Sequence, residues 1–355
     1  EGKGEKLEAW DWWYYAEKLR IQKYNLNEEE LRPYFKLDNV RQGAFDLATK
    51  LWGLQFKKLE NMPVYHPDVE VFEVKDADGS LIGVLYTDYF PRASKRAGAW
   101  MENITPQYKK DGKNVRPIIC NVGNFTKPTA DKPSLLNMDE VETLFHEFGH
   151  ALHGLLSQCT YPGQSGTNVS RDFVELPSQI MENWCFEPQV MKTYAKHYKT
   201  GALIPDSLIT KIQNAGTFNQ GFVMTELLSA ALLDMDYHSL TDTTAFDVNA
   251  FEKASLDKIG MIPEIIVRYR STYFNHVMGG GYSAGYYSYT WAEVLDADAY
   301  QSFVETGDIY NKERATAFRK NILEKGDSED PMVLYKKFRG KDPNPDALLR
   351  KRGLK

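Results

Sequence analysis

The stretch DEVETLFHEFGHALHGLLSQ, residues 139–158, constrains this chain more than any other. Asp139 followed by Glu142 predicts a helix start, the pair satisfying free backbone N–H groups reciprocally. Val141, Leu144, Phe148, Leu152 and Leu155 then recur at helical spacing and mark one apolar face. His146 and His150 lie one turn apart on the opposite side, with Glu147 beside them. Two imidazoles spaced this way can grip a single Zn²⁺, and the neighbouring carboxylate is placed to deprotonate a water. A helix with one apolar and one reactive face needs cover on both, so it is expected to be internal. The HExxH pattern has few fixed positions, and two exposed histidines on a surface helix would spell the same letters. Its place on a capped amphipathic helix favours the metal-binding reading.

A catalytic zinc needs a third protein ligand and one open position. His153 shares the face of His150, but it is a further turn along, about 4.5 Å of rise, and is rejected as a ligand. Position 156, where another class of HExxH proteins carries its third histidine, is Leu156. The better candidates lie in SRDFVELPSQIMENW, residues 170–184. Ser170 is expected to cap a second helix, with Asp172 and Glu175 one turn apart on one face. One of the two can ligate the metal while the other orients a ligand, and spacing does not say which. Pro177 predicts a bend in that helix.

FNHVMGGGYSAGYYSYTW, residues 274–291, is the second unusual stretch. Consecutive glycines let the chain fold closely or move, and tyrosines follow. Peptide hydrolysis needs neutral donors aimed at the developing oxyanion, and tyrosine phenols stay protonated at neutral pH. His276, Tyr282 and Tyr289 are the candidates; packing is the competing explanation.

The chain has 355 residues, 42% of them hydrophobic and 26% charged, which fits a globular protein with ample core. A net charge of −6 disfavours nucleic-acid and anionic-membrane partners. Cys120, Cys159 and Cys185 form no disulfide framework or metal-binding spacing, which points to a reducing, cytoplasmic setting. The chain opens at Glu1 without Met, as expected of a processed or cut polypeptide.

Residues 5–24 read as an aromatic-rich helix whose Trp10, Trp13, Tyr14 and Leu19 are expected in the core, the alternative being that they face a missing partner region. Asn27 starts a second helix and Asp38 a third. Residues 69–74 and 81–90 predict a hairpin tipped by Asp78-Gly79, and 116–125 a further strand. The expected result is a small antiparallel sheet beside the metal helix, its last strand a free edge for extended substrate. Helical patterns run through 171–199, 206–238, 245–275 and 283–323, with Pro331, Pro343 and Pro345 punctuating a tail. The chain thus divides into a helical opening (1–60), a small sheet (64–125), a helical active-site body (139–330) and a C-terminal tail (331–355). The fold class is mainly α with one small sheet.

WDWWYYAEKLR, YHPDVEVFEV, KRAGAWM, FHEFGHALHGLLS, GTNVSRDFVELPSQIMENW and GGGYSAGYYSYTWAEVLDADAY together resemble the thimet oligopeptidase family of zinc metallopeptidases. The resemblance implies a multi-helical zincin-type fold with a deep channel for short, unstructured peptides. It implies one zinc per chain held by His146, His150 and Glu175, with Glu147 as general base. Asp172 is then a supporting residue behind the ligands. His276, Tyr282 and Tyr289 fall where the family places transition-state donors, and Tyr286 lines the cleft. The implied activity is release of C-terminal dipeptides, with internal cleavage of short peptides as the alternative. Family members also carry an N-terminal helical region absent here. That region is a candidate partner, and without it the chain could instead be a lobe that only binds peptides.

Overall fold

The computed structural model describes residues 4, 6–242 and 244–355. Its organising element is the helix Met138–Leu156. Asn137 caps it: the Asn137 side chain accepts from the Glu140 N–H, and Glu140 accepts from the Asn137 N–H. The capping box therefore precedes the expected Asp139/Glu142 pair. Asn serves as well as Asp at this position, and Asn137 also has an acid three residues on. Val141, Leu144, Phe148, Leu152 and Leu155 are all buried, as their spacing predicts.

One side of this helix packs on a mixed five-stranded sheet. Its strands are β1 (Gln55–Lys58), β2 (Glu70–Lys75), β3 (Leu81–Asp88), β4 (Trp100–Thr105) and β7 (Ile118–Val122), in the order β1-β2-β3-β7-β4. A separate hairpin joins β5 (Tyr108–Lys110) to β6 (Lys113–Val115). The hairpin β2–β3 forms as expected, with Gly79 at φ +83° in its turn. Two expectations for the sheet are corrected. The sheet is not wholly antiparallel, because β7 runs parallel to β3, and β7 is internal rather than the edge. The edges are β1 and β4, and the WMENIT sequence of β4 lacks the apolar alternation that marks a strand. At Gly154 the helix comes so close to the sheet that a Cβ would lie 2.8 Å from the Ile119 side chain. Farther along, Phe148 meets Phe45 and Phe56 with ring centroids 5.5 and 5.7 Å apart.

The other side is crossed by the helix Leu176–Cys185. Here Gly149 permits backbone contact, since a Cβ at that position would stand 2.2 Å from the Pro177 carbonyl oxygen and 2.6 Å from Ser178 Cα. This second helix starts later than Ser170 predicts, with Glu175 as its N-cap residue. Pro177 consequently sits in the first turn, where its missing N–H breaks no helical hydrogen bond, and it causes no bend.

The expected long helical runs are broken into shorter pieces, among them Pro188–Tyr194, Asp206–Ala215, Gln220–His238, Val248–Lys258, Ser288–Val304 and Lys312–Phe318. Residues 331–355 include two helices, Pro331–Arg339 and Asp346–Lys351, and Tyr335 and Phe338 of the first are buried. The N-terminal helix Trp12–Tyr24 overturns an expectation, because none of its own residues is buried. Trp10 is 79% exposed, Trp13 58%, Tyr14 59% and Leu19 52%. Trp12 and Trp13 merely bracket Phe222. Aromatic content marked this helix for burial, but among the described residues no element covers that face.

The apolar interior falls into two main bodies. The larger holds the sheet and both site helices. The smaller gathers Ala230, Leu233, Val267, Phe274, Val277 and Tyr286 beneath the glycine–tyrosine segment. Gly149→Ala forces a methyl group against Pro177, so it should cost about 1–3 kcal/mol of stability. Urea unfolding measures this loss, and an unchanged midpoint would mean the two site helices are not locked at Gly149.

Candidate metal centre

The helical spacing of His146 and His150 turns both imidazoles toward the crossing helix. The N-cap position of Glu175 delivers a carboxylate between them. Glu175 Oε2 is 3.3 Å from His146 Nε2 and 3.2 Å from His150 Nε2. These ligand-type atoms all lie within 4.8 Å of one another, and no other such cluster occurs among the described residues. The donor set, two imidazole nitrogens and one carboxylate, is that of a tetrahedral catalytic metal with one open position. Glu175 is 1% exposed, and a carboxylate buried this deeply needs positive charge beside it. The residues present therefore fit a divalent metal such as zinc.

Charge around the cluster is strongly coupled. Burial alone would raise the Glu175 pKa, but the two imidazoles outweigh it and hold it well below the usual carboxylate range. Burial likewise works against charge on His146, and the Glu175 and Glu182 carboxylates overcome it, raising its pKa well above that of a free imidazole. Glu147 is 6% exposed, its Oε2 has no hydrogen-bond partner, and burial raises its pKa against the opposing pull of both histidines. It is thus a carboxyl with an unused oxygen and raised basicity beside the cluster. His153 stands apart from the ligands, as expected. It is fully buried, neither ring nitrogen has a partner, and burial pushes its pKa down to about 3, leaving a neutral packing group.

The support behind the ligands differs from expectation. Asp172 does not reach the histidines; the Tyr287 phenol donates to it at 2.9 Å. It lies three residues before the N-cap Glu175, and its carboxylate is taken up by Tyr287 rather than by the imidazoles. Glu182 takes the expected role, with its Oε1 2.6 Å from His146 Nδ1. Sequence reasoning passed over Glu182 although it stands two turns after Glu175, on the same side of the second helix. Glu175 is itself held, its Oε2 accepting from Ser178 Oγ at 2.9 Å and its Oε1 from the Tyr282 phenol at 2.6 Å.

The glycine–tyrosine segment closes over this side. Tyr282 and Tyr289 stack with ring centroids 5.4 Å apart, and the His276 ring is 6.1 Å from Tyr282. Burial, then the Glu175 charge, raises the pKa of both phenols. Burial and Arg268 lower that of His276. All three are therefore neutral at neutral pH and able to donate hydrogen bonds. Tyr286 departs from expectation. It is 2% exposed and packs edge-on against Phe274 in the smaller core, so it does not line the cleft.

The chain matches peptidase family M3 over residues 1–354. It is 48% identical over 354 residues to a dipeptidyl carboxypeptidase of Escherichia coli (strain K12), covering 99% of this chain and 52% of that protein. Oligopeptidase A of the same organism is 40% identical over 362 residues, again covering 99% and 52%. A thimet-like oligopeptidase of Dictyostelium discoideum is 31% identical, covering 96% and 51%. The chain thus spans about half the length of the relatives it matches. Among solved structures, an M32 carboxypeptidase from Deinococcus radiodurans R1 aligns with a TM-score of 0.52 at 13% identity, over 99% of this chain and 67% of that one, a likeness of fold.

The position of Glu182 yields a test. Glu182→Gln removes the carboxylate that anchors His146, so the affinity of the site for a divalent metal should fall about 10–100-fold. Competition with a fluorescent chelator measures it, and unchanged affinity would remove Glu182 from the site.

Proposed function

Because this chain belongs to peptidase family M3, we propose that it is the catalytic part of a zinc peptidase that releases dipeptides from the C-termini of short peptides. The observation that carries this reading is the convergence of His146, His150 and Glu175 beside the unpartnered Glu147 carboxyl. The greater identity to dipeptidyl carboxypeptidase than to oligopeptidase A supports dipeptide release over internal cleavage.

In this reading His146, His150 and Glu175 hold the metal. A zinc ion bound there supplies Lewis-acid polarisation and lowers the pKa of a water. Glu147 takes the water's proton at its free carboxylate oxygen, and its raised basicity suits that transfer. The same group then hands the proton to the leaving amine as the C–N bond breaks. His276, Tyr282 and Tyr289 offer neutral hydrogen bonds to the oxyanion that develops on the scissile carbonyl. Tyr282 is bonded to Glu175, so its donation to substrate requires exchanging that partner. The outer edge of β4 pairs with no strand among the described residues and suits an extended peptide backbone.

The rest of a longer polypeptide is proposed to wall the channel. The exposed Trp10, Trp13, Tyr14 and Leu19 support a packing role for the N-terminal helix toward it. Three buried, unbridged cysteines support a reducing compartment such as the cytoplasm.

Glu147→Gln should lower turnover of a quenched peptide at least about 100-fold while zinc stays bound. Full activity of that variant would overturn the mechanism. Dipeptide release also requires a free C-terminus. Mass spectrometry of products from a peptide with a free or amidated end should show dipeptides only from the former. Indifference to amidation would favour internal cleavage, and absence of both zinc and turnover would favour a lobe that only binds peptides.

A further inference from the structure

The tyrosine segment is proposed above to donate to the substrate, yet it belongs to the smaller core while the metal ligands belong to the larger. Something must hold its turn in place. Asp234, on the helix Gln220–His238, is completely buried. Its Oδ1 accepts from the Ala284 N–H at 3.0 Å and its Oδ2 from the Tyr286 N–H at 2.9 Å. His238, one turn on, stands with Nδ1 2.7 Å from Asp234 Oδ1.

The turn needs such an anchor. Ala284 has φ +52°, a left-handed conformation that residues with a Cβ adopt at a cost. A left-handed residue turns neighbouring N–H groups to one side and creates a concavity suited to an anion. The other backbone hydrogen bonds of residues 282–288 are local. Tyr282 N–H donates to His276 O, Gly285 N–H to Tyr282 O and Ser288 N–H to Gly285 O. Asp234 thus ties the middle of this turn to the helix Gln220–His238, while the Gln179 side chain, donating to the Tyr289 carbonyl at 3.2 Å, holds its far end to the helix Leu176–Cys185. Two residues before Ala284 is Tyr282, whose phenol reaches Glu175.

We propose that Asp234 is a positioning residue for the tyrosine turn, holding Ala284 and Tyr286 so that Tyr282 and Tyr289 stand over the metal ligands. It touches neither the ligands nor the β4 edge suited to substrate, and it acts through the backbone of residues 284–286. The consequence for turnover rests on the function proposed above; the consequence for the turn does not.

The test is Asp234→Asn, which keeps the shape but presents an N–H₂ where one backbone N–H needs an acceptor. Hydrogen–deuterium exchange at the amides of Ala284 and Tyr286 should accelerate at least about tenfold, while that of Met138–Leu156 stays unchanged. With a peptide substrate, kcat should fall at least about tenfold and KM change less than about twofold. Adding Ala284→Gly, which accepts the left-handed conformation freely, should restore part of the lost kcat. His238→Phe removes only the support of the carboxylate and should shift exchange in the same direction, which keeps the test decisive if Asp234→Asn does not fold. Unchanged exchange at both amides overturns the proposal, as does faster exchange with unaltered kcat. If the parent protein cleaves no peptide, the proposed activity fails, while the exchange measurement still decides whether Asp234 holds the turn.

Discussion

Everything at the site depends on the backbone contact between Gly149 and the first turn of the helix Leu176–Cys185. Were a methyl group there, it would collide with the Pro177 carbonyl oxygen, and the two helices would have to separate. Separation would carry Glu175 away from the imidazoles it lies between, because Glu175 immediately precedes that turn. The glycine inside HEFGH is thus as much a part of the centre as the two histidines. The proline serves the same end, since it can begin a helix without wasting an N–H.

Burial then does the electrical work. Glu175 remains ionised in a dry setting because two imidazoles face it, and it is fixed by Ser178 and Tyr282. His146 is held from behind by Glu182. Glu147 has no partner for one oxygen, and burial raises its basicity while that oxygen stays free. The tyrosine segment comes from a separate apolar body, and the centre joins the two cores through hydrogen bonds from Tyr282 to Glu175, from Tyr287 to Asp172 and from Gln179 to the Tyr289 carbonyl.

Much of this was legible in the residues. Four-residue spacing put His146 and His150 on one face, and a fixed rise per residue excluded His153. Choosing Glu175 over Asp172 was not possible from spacing, because a helix start shifts by several residues without changing the pattern. Only the start at Leu176 separates the two acids, and it also makes Glu182 the neighbour of His146. The sheet was half legible: β2 and β3 alternate and turn at Asp78-Gly79, whereas β4 carries polar residues on both faces and its edge position depends on long-range pairing. Trp10, Trp13 and Tyr14 misled for a related reason. Aromatic composition signals a surface that gets covered, and among the described residues nothing covers it.

The most direct test of the centre is a crystal structure of the zinc-loaded protein with anomalous data collected at the zinc edge. The expected result is one strong peak about 2.0–2.2 Å from His146 Nε2, His150 Nε2 and a Glu175 carboxylate oxygen. A peak elsewhere, or one that Glu175 does not reach, would contradict the centre described here.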